Sequence, residues 1–182
     1  MSGLHPRIAE IIDVLEHAHR DLVEVVTAIP EARRGVPGAD GRWSVAQHLE
    51  HLAMVEDGAG RVMSKLIKEV AARDERETES SSLLGSLDRF QVWTSATRKI
   101  VAPELVQPRE GLTADEALAR LTTARTRMIG ALQKASGLAL ASVTFPHPVV
   151  GPLNVYQWGL MAAQHERRHL EQIRAVAGLD DA

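Results

Sequence analysis

Three times in this chain a helix-capping residue stands three positions ahead of a side chain that can answer it. The pairs are Ser44 with Gln47, Thr113 with Glu116, and Asn154 with Gln157. A capping oxygen accepts from the backbone N–H three residues on, and that residue's side chain accepts from the N–H of the cap, so two unpaired donors at a helix start are satisfied together. The first two pairs fit the pattern directly, and the asparagine version is a looser match. Each pair heads a run of apolar residues three and four apart, the repeat of one helix face. A chain punctuated in this way folds into long helices packed on one another.

The first helix is expected from about Pro6 to Ile29. Pro6 suits a first turn, where its missing N–H would be unpaired anyway, and Pro30 helps to stop the helix. Ile8, Ile11, Leu15, Ala18, Leu22, Val25 and Ile29 form its stripe. A loop follows over Arg33 to Arg42. Helix two is expected from Ser44 to about Ala72, with Val45, Leu49, Leu52, Val55, Ala59, Val62, Leu66 and Val70 inward; Gly58 and Gly60 would allow a bend or close packing. Helix three covers about Thr113 to Ala135, and helix four Asn154 to Ala177, ending before Gly178. The polar stretch from Asp74 to Gly85 reads as mobile. Leu87 to Ile100 has the pattern of an extra, shorter helix anchored by Phe90 and Trp93. The prolines in Thr144 to Leu153 favour an extended crossing or turn. The expected fold is all-α, a four-helix bundle with long connections, in one domain over residues 1–182.

Composition supports helices and narrows function. Aromatics are only 3% of 182 residues, leaving a core of Ala, Val, Leu and Ile. The net charge is −3 and no basic stretch is interleaved with aromatics, which disfavours nucleic acid as a partner. There is no cysteine, so disulfides, thiolate zinc sites and a cysteine nucleophile are excluded. With no apolar signal core and no run of about 18 apolar residues, the chain is expected to be cytoplasmic and off the membrane.

His165 and His169 lie a single turn apart and can share one metal ion. They fall on the face of Trp158, Met161, Ala162, Gln172, Ile173 and Val176, so they point inward, while Glu166, Arg167, Arg168 and Glu171 lie mostly on other faces. Buried imidazoles need partners. A catalytic metal site commonly has three protein ligands and one open position. Helix two offers His48 and His51, and spacing alone does not choose between them. His165-Glu166-Arg167-Arg168-His169 also satisfies the H-E-x-x-H pattern of zinc proteases. That reading is set aside, because no third histidine follows and Glu166 would point about 100° away from His165.

The stretches Trp43-Ser44-Val45-Ala46-Gln47-His48-Leu49-Glu50-His51-Leu52 and His165-Glu166-Arg167-Arg168-His169-Leu170-Glu171-Gln172-Ile173 resemble the DinB-like superfamily of metal-binding four-helix bundles. In that family a Trp followed by Ser or Thr precedes a His-Leu pair by eight residues, a register that falls on His51. Two histidines four apart before Gln and Ile fall on His165 and His169. His147 to Trp158 is similar to the lead-in of one branch. The resemblance implies a divalent metal, zinc or nickel, held by His51, His165 and His169, in a protein that is often a homodimer. His48 is then a neighbour of the site, and Gln172 a candidate to orient His169. Trp158 would wall a pocket, Trp43 and Tyr156 would pack, and His147 would lie near the site. Arg167 and Arg168 are expected in solvent or at the pocket rim. His5, His17 and His19 are expected elsewhere.

The family includes transferases that use a low-molecular-weight thiol, and a maleylpyruvate isomerase. The leading expectation is therefore metal-dependent thiol transfer on a small-molecule substrate, with metal-dependent hydrolysis next. A non-catalytic, metal-stabilised binding or regulatory module would explain the same histidines, and so would a bundle in which they only form hydrogen bonds.

Overall fold

A computed structural model describes residues 3–86, 101–109 and 111–179. Among the described residues four long helices form, α1 (Pro6–Ala28), α2 (Val45–Arg73), α3 (Ala114–Lys134) and α4 (Val155–Ala177). All three capping boxes form, the asparagine one included. At the far ends, Asp74 and Gly178 take left-handed conformations, with φ of 50° and 68°, which turn the chain out of α2 and α4. A single helical turn (Glu31–Arg34) opens the loop between α1 and α2. The expected helix over Leu87 to Ile100 lies outside the described residues.

Packing closes the four helices into a ring in which α1 neighbours α4, α4 neighbours α2, α2 neighbours α3, and α3 returns to α1. Inside are two apolar clusters. One gathers Ile8, Ile11, Leu15, Met63, Leu66, Met128, Tyr156 and Leu160. The other gathers Leu22, Val26, Leu49, Leu52, Leu121, Leu170 and Ile173. Gly159 permits the close approach of α4 to α1, since a Cβ there would come within 2.7 Å of Ile11 Cγ2. Gly58 and Gly60 play no such part: α2 runs through both, and open space surrounds them.

The inward face of α2 differs from the expected stripe at two positions. Glu56 and Met63 are buried, while Val55 and Val62 are only half-buried. Glu56 holds its place because the Arg125 guanidinium of α3 meets it there, with Nε 3.0 Å from Glu56 Oε2 and Nη2 on Oε1. Nη2 also donates to Glu166 Oε2 at 2.6 Å, and Nη1 donates to the Leu15 carbonyl. Glu166 is fully buried and its Oε1 lies 2.8 Å from His19 Nδ1. It faces away from His165 as expected, but into the protein. This polar layer sits at the level between the two apolar clusters. Burial raises the proton affinity of Glu56 and Arg125 only partly opposes it; for Arg125 the two carboxylates outweigh burial and raise its pKa.

Two connections are better organised than their composition implies. The polar segment after α2, read as mobile, is tied down along its length. Arg76 bridges to Leu138, Tyr156 donates to Glu77 at 2.8 Å, and Glu10 accepts from Ser82 Oγ and the Leu83 N–H at 2.6 and 2.7 Å. Its hydroxyls and carboxylates serve specific partners on α1 and α4. The proline-rich link before α4 forms a small antiparallel hairpin, β1 (Phe145–His147) with β2 (Gly151–Leu153), in which Pro146 and Pro152 face each other.

Candidate metal centre

The start of α2 meets the second half of α4, and there the structure brings His51, His165 and His169 together. Each is nearly enclosed, at 4, 5 and 6% exposure. His51 Nε2 lies 3.4 Å from His165 Nε2, and His169 Nε2 lies 3.2 Å from the same atom. One ligand atom from each of the three lies within 4.8 Å of the others. Bonds of about 2.0–2.1 Å to one tetrahedral ion separate neighbouring nitrogens by roughly 3.3 Å, so the spacing suits a shared cation.

Hydrogen bonds on the opposite ring edges set which nitrogen is free. His51 Nδ1 lies 2.7 Å from the Val106 carbonyl, which can only accept. Nδ1 therefore carries the proton and Nε2 keeps its lone pair. His169 Nδ1 lies 2.9 Å from His48 Nδ1. With the shared proton on His169, His48 accepts it and His169 Nε2 also presents a lone pair toward the cluster. His48 is thus a buried partner of a ligand, nearer the site than a pocket wall. Gln172, the expected orienting group, has its Oε1 buried with no hydrogen-bond partner among the described residues.

Burial also keeps these rings uncharged. Desolvation, reinforced by His51, lowers the His48 pKa to about 4. Desolvation lowers His51 as well, against the opposing effect of its bond to Val106. His165 and His169 are held well below the ordinary histidine value, first by burial and then by neighbouring imidazoles. With the Nε2 atoms of uncharged rings 3.2 and 3.4 Å apart, a cation among them would take a lone pair from each ring whose Nδ1 carries the proton. That donor geometry fits a metal ion.

Trp43 closes one side, its ring nearly parallel to His169 at 6.3 Å and tilted against His51 at 5.1 Å. Its role in the motif is to pack on the histidines themselves. Trp158 is buried one face-repeat earlier on α4, and the His147 ring of the hairpin lies 5.3 Å from it. His147 lies near enough to help lower the pKa of His165. Its Nδ1 accepts from the N–H groups of Val149 and Val150 at 3.2 and 3.4 Å. Arg167 and Arg168 are half-buried, and burial lowers the Arg168 pKa. His17 bonds within α1, His19 joins the polar layer, and His5 lies by Ser136, all outside the cluster.

A helical bundle with a buried three-histidine cluster between two helices defines the class. The DinB superfamily profile matches residues 14–173, and the chain belongs to that superfamily. It is 26% identical over 141 residues to the uncharacterized protein YuaE of Bacillus subtilis (strain 168), covering 77% of this chain and 80% of that one. The crystal structure of TT2238, a four-helix bundle protein, superposes with a TM-score of 0.60 at 25% identity, over 92% of this chain and 98% of that one.

Proposed function

We propose that the chain is a metal-dependent enzyme for a small-molecule substrate, with transfer of a low-molecular-weight thiol as its first reaction class and hydrolysis as its second. The observation that carries the reading is the convergence of His51, His165 and His169 through Nε2, three uncharged donors where a catalytic site commonly uses three. A bound divalent ion, zinc or nickel, would polarise a substrate oxygen and lower the pKa of a thiol or water beside it.

The rest falls to the protein's own groups. The Val106 carbonyl holds the His51 ring in the tautomer that presents Nε2, and His48 does the same for His169 when the shared proton is on His169. Trp43 shields the cluster from solvent, which keeps the imidazoles neutral. The donor set contains no carboxylate, so an anionic sulfur or oxygen of a substrate meets no negative ligand there. Superfamily membership does not choose the reaction, because function lies in the site and its surroundings.

A second reading has its own support. The three histidines are so nearly enclosed that an ion among them would also suit a non-catalytic, metal-stabilised module.

Metal analysis of protein purified without a histidine tag, and melting with and without zinc or nickel, test the site itself. An ion at about 100 times its Kd stabilises the fold by about 2.7 kcal/mol, or roughly 5–11 °C for a chain of this size. His169→Ala should abolish that increment and leave a helical protein. Identical melting with and without each ion would reject the metal. Loaded wild type and His165→Ala are then compared across thiol-transfer and hydrolysis panels. Equal rates for the two proteins would reject catalysis of those reactions and favour the module.

A further inference from the structure

Residues 101–109, ahead of α3, cross the start of α2 as a strap containing one tight turn at Glu104–Val106. Val101 is 77% exposed and Leu105 84%, while Val106 and Pro108 are half-buried. Two polar contacts reach consecutive residues of α2. The Val106 carbonyl accepts from His51 Nδ1, and the Arg109 N–H donates to Glu50 Oε1 at 3.0 Å. Glu50 is buried at 7% exposure, where a carboxylate needs hydrogen-bond partners.

We infer that Glu50 is a positioning residue for the three-histidine site, acting on His51 through the strap. By holding the Arg109 amide it keeps the Val106 carbonyl three residues earlier against His51, and that carbonyl decides which His51 nitrogen is free. Without the clamp, His51 loses the partner that fixes its tautomer and ring orientation. Coupling of this kind is reciprocal, so an ion at His51 Nε2 also tightens the strap. The inference rests on the metal-site reading above.

The test titrates metal-free wild type, Glu50→Ala, Glu50→Gln and Arg109→Pro with zinc alone, by competition with a chelator. Amide hydrogen exchange over residues 103–109 is followed with and without zinc. Loss of a partner that orients a metal ligand costs about 10–100-fold in affinity. Glu50→Ala should show that loss. Glu50→Gln, whose amide oxygen can still accept, should stay within a few-fold of wild type. Arg109→Pro removes the donor, and its ring also fixes φ at that residue, but it leaves α2 untouched, so it reads the same clamp even if Glu50→Ala fails to fold; it should match the alanine variant. Zinc should slow exchange at the Val106 and Gln107 amides in wild type, and far less in Arg109→Pro. Wild-type affinity in both Glu50→Ala and Arg109→Pro overturns the inference, as does strap exchange indifferent to zinc in wild type. Wild type that binds no zinc, nickel or other divalent ion overturns the metal reading itself, and this inference with it.

Discussion

Replacing Arg125 with Met should destabilise the fold more than any other single change in the polar layer. Methionine replaces the aliphatic stem but offers nothing to the groups the guanidinium serves. Glu56 and Glu166, at 1% and 0% exposure, would lose their shared cation, and the Leu15 carbonyl would lose a donor. Breaking a buried ion pair by removing one partner costs about 3–5 kcal/mol, because a charge is left uncompensated. At about 2–4 °C per kcal/mol for 150–250 residues, melting should fall by roughly 6–20 °C. Circular dichroism of metal-free wild type and variant in urea and on heating measures it. The pH dependence identifies the cause. Burial already raises the Glu56 pKa, and without Arg125 it rises further. The folded variant then binds a proton that its unfolded chain, with a carboxyl pKa of about 4.3, does not. The deficit relative to wild type should therefore shrink as pH falls from neutral toward about 4.3, and Glu56→Gln in the Arg125→Met background should recover part of it at neutral pH. A deficit below about 1 kcal/mol at pH 7, or one that does not change with pH, would refute the reasoning.

Acid should weaken the metal-free protein through its histidines. The His48 pKa is about 4 in the fold and 6.5 ordinarily, so stability present above pH 6.5 is lost as pH falls toward 4, by about 3 kcal/mol for this group alone; urea melts at pH 7.5 and 4.5 measure it, and a smaller loss is expected in His48→Leu. Gly159→Ala should destabilise by about 1–3 kcal/mol, although alanine is the better helix former by about 1 kcal/mol. Its Cβ would stand 2.7 Å from Ile11 Cγ2, and a thermal melt equal to or above wild type would show that α1 can give way.

Features set by neighbours along the chain were legible before folding was considered. The capping boxes at Ser44, Thr113 and Asn154 depend on residues three apart, and each helix starts where they stand. Apolar spacing put His165 and His169 on the inward face of α4, since a helix repeats the same way whatever it packs against. His51 was different: spacing left it level with His48, and the family resemblance chose it. The geometry brings His51 to the cluster and sets His48 behind His169, their Nδ1 atoms 2.9 Å apart. Periodicity also set Glu56 and Glu166 apart from the apolar stripes without revealing that both are buried. Burial of a carboxylate is decided by what another helix brings to it, here Arg125 from α3. The Val106 carbonyl that sets the His51 tautomer is invisible to any side-chain pattern, being backbone 55 positions away. Local rules place side chains on faces, but which faces meet depends on contacts between distant segments, and only the folded chain decides those.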